Sequence, residues 1–248
     1  MSEQARPQRS SEKAQRIRVR FARSAEATAI GHLDVSRRWE AAFSGAGIVL
    51  SYSQGNRPTP RITLAAGLAA GVTSEGELLD VILAELTDPA RLIERVRPHL
   101  PPGVDALDAR EVGLGLPSLP TLVRWADYEV DVCTDDIAVL RASVDAFLAE
   151  ANHPWVDMRG EKRREYDLRA LVQDIRVEPL CEADSRPRER AARLSMRLRS
   201  DEIGVGRPDQ VVKALGLDEP SRIHRLRLIV SETSPAHDAW RRRGRYAV

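Results

Sequence analysis

With 248 residues, 42% hydrophobic and 30% charged, the chain has the composition of a folded protein of one large domain or two small ones. No run approaches the length of a membrane-spanning helix, and the first residues lack the apolar stretch of a signal peptide. The net charge of +1 excludes a uniformly basic or acidic chain. The isolated cysteines, Cys133 and Cys181, argue against a disulfide framework or zinc knuckle and for a reducing, cytoplasmic location.

Residues 1–15 read as a disordered basic arm, polar and without periodicity. Apolar and charged residues alternate over 17–21, the pattern of a half-exposed strand. Leu33, Trp39, Ala42 and Phe43 set among charges predict an amphipathic helix over 32–45, ended by Gly45-Ala46-Gly47. Strands are expected around 48–53 and 61–65, with the loop 54–61 between them, and over 78–83. Asp88-Pro89 opens a helix that runs to about Leu100 and stops at Pro101-Pro102-Gly103. A strand follows over 104–112. This order is the split βαβ of a ferredoxin-like unit.

Residues 113–123 are Gly- and Pro-rich and suit a linker. Beyond it come a strand over 128–132, a helix over 137–151 and strands around 165–171, 173–179 and 191–199. A short helix over 208–215 and a strand over 223–230 close the set. The expected fold is α+β, with two tandem ferredoxin-like units of antiparallel sheet. They occupy residues 16–112 and 124–232, followed by a basic tail over 233–248.

The small net charge conceals blocks of +5 over 1–23, −4 over 24–120, −6 over 121–158 and +6 over 159–248. Apart from Lys13, Lys162 and Lys213 the cations are arginines. A guanidinium fork grips phosphate and stacks on bases. GC-rich coding favours arginine as well, so the excess alone assigns nothing.

No Gly-rich phosphate loop, His-Glu-x-x-His pair or metal-ligand spacing of Cys and His occurs, and no cysteine run could hold an iron–sulfur cluster. No metal and no cofactor is expected on this chain. His32, at the helix start beside Asp34, Arg37 and Arg38, either holds a phosphate or shuttles a proton, or else caps the turn. In the loop 54–61, Gln54 and Asn56 offer amide donors and Arg57 and Arg61 supply charge. Pro58 and Pro60 lower the entropy of ordering the loop, which makes it a candidate anion cradle. The alternative is a hairpin connection with solvated arginines. Residues 159–169 form a basic turn with Arg163, Arg164 and Arg169 beside Tyr166, suited to gripping an RNA backbone. The alternative there is a solvated hairpin tip. Arg241, Arg242 and Arg243 extend the basic surface into the tail.

Arg18-x-Arg20-Phe21, Gly31-His32-Leu33-Asp34, Tyr52-Ser53-Gln54-Gly55, Pro58-x-Pro60-Arg61 and Ser74-Glu75-Gly76-Glu77-x-x-Asp80 occur in one order. Tyr166-Asp167-Leu168-Arg169 and Arg207-Pro208-x-x-Val211 follow later. This string resembles the radical-SAM-linked proteins of bacteria, built on a domain of unknown function. The sequence departs from that pattern at Gly31, where serine is usual, and at Asn56-Arg57, where Phe-Asn is usual. The second departure removes an aromatic from the loop. The resemblance implies a partner: a radical SAM enzyme with a cobalamin-binding-type domain, or ribonuclease E/G. Tandem ferredoxin-like units also resemble the fold of CRISPR RNA-processing endonucleases, an analogy of fold alone. The expectation is a non-catalytic RNA-binding accessory protein for ribosomal or transfer RNA, with no membrane role. One alternative is an RNA-independent adaptor for a radical SAM enzyme. The other is a metal-independent RNA-processing enzyme using His32 with Asp34 or Asp167.

Overall fold

Alternation over the first strand produces β1 (Gln15–Arg23), longer at both ends than expected. Ile17, Val19 and Phe21 point into the core, while Arg16, Arg18 and Arg20 occupy the other face. The computed structural model describes residues 10–160, 162–180 and 190–231. Contrary to the expected arm, residues 10–15 are tied down. The Ser10 carbonyl accepts the Tyr52 N–H at 2.8 Å, the Ala14 N–H donates to the Leu83 carbonyl at 2.9 Å, and Gln15 is buried.

The chain divides into two units, residues up to 70 with 75–120, and 71–74 with residues from 121 onward. In the first, α1 (His32–Gly45) has the expected bounds. Its buried residues Val35, Trp39, Ala42 and Phe43 fall on one helical face, and Trp39 meets Phe21 edge-on at 5.3 Å. The strand expected over 48–53 is reduced to two isolated pairings, Leu50 with Leu83 and Tyr52 with Pro60. Pro58 and Pro60 have no N–H to give a ladder, so regular pairing begins only at β2 (Ile62–Leu64). β3 (Thr73–Leu83) places Leu79, Val81 and Leu83 in the core. Asp88 caps α2 (Pro89–Val96), its Oδ1 accepting the Arg91 N–H at 3.0 Å. Pro98 then forces the tighter turn over residues 97–99, so the helix stops short of Leu100. Gly103, at φ +78°, returns the chain where a Cβ would meet the Ala27 nitrogen at 2.7 Å. β4 (Val104–Val112) completes a sheet ordered β4-β1-β3-β2, with the β1–β4 and β2–β3 pairs antiparallel.

Asp80 of β3 is buried against two arginines of β1. Arg16 donates through Nε (2.9 Å) and Nη2 (2.6 Å), and Arg18 through Nε (2.8 Å) and Nη2 (3.0 Å). Arg16 also donates to the carbonyls of Leu116 and Pro117 at 2.7 and 2.9 Å. The segment expected to be a linker is thus pinned to the first unit.

α3 (Leu119–Leu122), also inside that segment, is a single turn with Leu119 and Leu122 buried. In the second unit β5 (Val123–Thr134) is followed by α4 (Ile137–Ala149), capped by Asp136 Oδ1 accepting the Ala138 N–H at 2.7 Å. A separate two-stranded ribbon of β6 (Pro154–Arg159) and β7 (Lys162–Asp167) comes next. Then come β8 (Val172–Leu180), β9 (Arg190–Arg199), α5 (Pro208–Ala214) and β10 (Arg222–Val230). The strands lie in the order β10-β5-β9-β8, all antiparallel, and Thr73 and Ser74 run parallel to β10. Val130, Val132, Leu194 and Leu198 pack in the core with Leu140, Val144 and Phe147 of α4 and Val211 and Val212 of α5. The fold class is α+β.

Replacing Asp80 by Ala leaves two guanidiniums buried without their anion, at an expected cost of about 3–5 kcal/mol. Urea denaturation measures it, and a loss below about 1 kcal/mol would contradict the role assigned to this carboxylate.

Candidate functional site

The loop 53–60 is closed at its base. The Ser53 N–H donates to the Thr59 carbonyl at 2.8 Å, and the Thr59 N–H returns to Ser53 Oγ at 3.0 Å. The Tyr52 hydroxyl donates to Glu40 Oε1 at 3.4 Å, which sets the stem of the loop beside α1. Gln54, Asn56 and Arg57 are exposed, and Arg57 has no hydrogen bond or ion pair among the described residues. Arg61 differs: its Nε donates back to the Tyr52 carbonyl at 3.3 Å, so it braces the stem. Arg37 lies one helical turn before Glu40 and meets Asp34 at 3.5 Å on an exposed surface. Arg38 is exposed and without a partner among the described residues. The first unit therefore brings Arg37, Arg38 and Arg57 onto outward-facing structure. The His32 side chain lies outside the described residues.

In the second unit two expected site residues hold the fold instead. Arg169 donates to the Leu148 carbonyl through Nε (3.1 Å) and Nη2 (2.9 Å), and to the Val172 carbonyl through Nη1 (2.6 Å). Its guanidinium thus caps the end of α4, where helix carbonyls lack partners. Asp167 Oδ1 accepts the N–H groups of His153 (2.8 Å) and Arg169 (3.0 Å) and shapes the base of the ribbon. Both side chains, expected to face a ligand, are instead engaged with main-chain groups of the fold. Arg163 pairs with Glu165 at 2.6 Å on the exposed ribbon, and Arg164 is exposed opposite Asp157. Tyr166 donates its hydroxyl to Gln210 Oε1 at 2.5 Å. Arg241, Arg242 and Arg243 lie outside the described residues.

The residue pattern did not single out the face of the second sheet turned away from its helices. There Asp174, Arg197, Asp127 and Arg227 form one rung across β8, β9, β5 and β10. Glu178, Arg193, Asp131 and Arg222 form another. Arg197 clasps Asp127 at 2.7 and 3.0 Å while Arg227 adds a contact at 2.8 Å, and Arg193 clasps Asp131 at 2.7 and 3.1 Å. Burial alone would raise the carboxyl groups of Asp127 and Asp131. The hydrogen bonds from Arg197 and Arg227, and from Arg193, outweigh it and hold both below the usual carboxylate range. Hydrogen bonds to the same carboxylates raise the pKa of Arg193 and Arg197. The acids at 127, 129 and 131 and the arginines at 193, 197 and 199 are visible as period-two sets, but only register pairs them.

Among the described residues no group of His, Cys, Asp and Glu side chains could hold a metal, and no helix is long and apolar enough to cross a membrane.

The antiparallel strand sets β4-β1-β3-β2 and β10-β5-β9-β8, together with the helices between their strands, define an α+β protein. The model of one protein family, described as an uncharacterized protein conserved in bacteria (DUF2344), matches residues 16–206, and the chain belongs to that family. No curated protein matches it. Among solved structures it is similar to a chain in the crystal structure of a Cbf5-Nop10-Gar1 complex. The identity is 10% and the TM-score 0.42, over 86% of this chain and 48% of that one. The chain thus spans about half the length of that relative. It is also similar to an unknown protein from Galdieria sulphuraria, at 15% identity and a TM-score of 0.25, over 87% of this chain and 99% of that one.

The two clasped aspartates stabilise the fold fully above their unfolded pKa, near 3.8, and lose that contribution as pH falls through their lower folded values. The urea midpoint should fall on the acid side, and Asp127→Asn with Asp131→Asn should lower it modestly at neutral pH while flattening the acid limb. An acid limb unchanged in the double variant would assign it to other groups.

Proposed function

We propose that this protein is a non-catalytic RNA-binding accessory protein for ribosomal or transfer RNA, built on two tandem ferredoxin-like units. The observation that carries the reading is Arg57, exposed and uncommitted on a loop closed by Ser53 and Thr59, with Arg38 exposed on the helix beside the stem. A cation held on a constrained loop loses little entropy when it meets a phosphate. The finer fold reading is supported by element order. Each unit runs β-α-β-β-α-β apart from the inserted ribbon, and the strand orders β4-β1-β3-β2 and β10-β5-β9-β8 are the same arrangement. The proposed partner, a cobalamin-type radical SAM enzyme or ribonuclease E/G, rests on the motif resemblance alone, and a cytoplasmic location accords with it.

A second reading, an adaptor that docks an enzyme without RNA, is favoured by the ribbon. Val156 and Met158, on one face of β6, are 49% and 59% exposed.

Fluorescence anisotropy with labelled transfer and ribosomal RNA fragments over a salt series tests the first reading. Arg38→Ala with Arg57→Ala should weaken binding at least about tenfold and reduce the salt slope by about 2. Unchanged affinity would remove the loop from the site. A salt-indifferent complex with the enzyme, formed without RNA, would favour the adaptor.

A further inference from the structure

The outer face of the second sheet has a gap in its row of long side chains. Along β9 that face carries Arg193, Ser195, Arg197 and Arg199, and the serine cannot fill the space between its neighbours. A depression of about 230 Å³ results, lined by Asp127, Asp174, Arg176, Ser195, Arg197 and Arg227 among others. Bulges lie on both outer strands at this level. The register of β8 on β9 shifts between Val172 and Asp174, and that of β10 on β5 between Arg225 and Arg227. A bulge bends its strand and re-aims the adjoining side chains.

The three arginines around the gap are not equivalent. Arg197 is committed to Asp127 through both Nε and Nη2. Arg227 meets Asp127 through Nε alone at 2.8 Å, and Arg176 meets Asp174 through Nε alone at 3.0 Å. Their side chains are 65% and 75% exposed, and their Nη groups have no partner among the described residues. The carboxylates therefore fix the direction of each guanidinium and leave its outer edge unused. Three guanidiniums against two carboxylates give the lining one excess positive charge, and Glu129, opposite Ser195 on β5, is engaged by Arg193 and Arg222 at 3.3 and 3.5 Å. A group of several acceptor oxygens carrying negative charge completes this set, because it can take paired N–H bonds from a fork and an O–H bond from a serine.

We propose that the gap is a phosphate-binding site, in which a phosphate group sits over Ser195 between the Nη groups of Arg176 and Arg227. The phosphate belongs to a nucleic-acid backbone or to a small phosphate ester, since both present the same oxygens. The site is formed within the second unit and does not depend on the RNA reading of the loop 53–60.

Backbone amide NMR of the full chain tests it, with inorganic phosphate, adenosine monophosphate and a short RNA titrated against sodium chloride at matched ionic strength. Saturable shifts are expected at Ser195 and Leu226. Arg176→Ala with Arg227→Ala should weaken them at least about tenfold. Ser195→Glu, which fills the gap with a carboxylate, should abolish them. Arg176→Ala alone removes one exposed ion pair and should weaken binding without moving the thermal midpoint. Shifts by all three probes assign the site to phosphate in either setting, and shifts without the RNA assign it to small phosphate esters. The proposal is overturned if no phosphate-bearing probe saturates, if chloride reproduces the shifts, or if the double variant and Ser195→Glu both bind as the parent does.

Discussion

A strand that buries one face leaves the side chains of its other face at every second residue, and in this chain those residues are largely charged. Both units rest on the register that sets these charges opposite their counterions. In the first unit Asp80 serves Arg16 and Arg18 where all three are buried, so neither sign could stand without the other. In the second unit Asp127 and Asp131 serve arginines that still reach water, and each pair contributes little individually. What the outer rungs supply is chiefly positional. A one-residue slip of β9 on β5 would turn Arg193 and Arg197 into the core and Leu194 outward.

That requirement changes what the arginine content means. Arg169 and Arg95 hold main-chain carbonyls, and Arg16, Arg18, Arg20, Arg97, Arg193 and Arg197 hold carboxylates. Among the described residues much of the positive charge is thus consumed in making the fold. Arginine excess is consequently a poor index of a polyanion site, whereas an exposed cation with no internal partner on an ordered loop is a better one. Arg57 meets that criterion and Arg61, four residues on, does not.

Much of the element order was legible. α1 and β4 begin and end where amphipathic spacing and the stops at Gly45 and Val112 put them, because each carries its own hydrophobic face. The failures have local causes. Prolines at 58 and 60 remove donors from a segment that otherwise reads as strand, and Pro98 tightens the last turn of a helix. The ribbon of β6 and β7 is half polar on both faces, so alternation marks it weakly. The site was less legible than the fold. Sequence shows that Arg169 and Asp167 are charged, but the groups that occupy them are main-chain carbonyls and N–H groups whose positions follow only from the completed fold. The rungs of the second sheet were hidden for the same reason. Asp127 and Arg197 stand 70 residues apart, and no local pattern pairs them.

The aromatic residues constrain what the first unit could recognise. Phe21, Trp39 and Phe43 are in its core, and the Tyr52 hydroxyl is bound to Glu40. The loop itself carries Asn56-Arg57, with no ring. The loop thus offers unpaired bases no aromatic platform, the main device by which single strands are read in sequence. An RNA held by Arg38 and Arg57 would be held by its phosphates, with affinity set by salt and by the shape of a folded backbone. Such a surface discriminates poorly between sequences. Under the proposed function it suits a protein that presents a structured RNA while another protein reads or modifies the base.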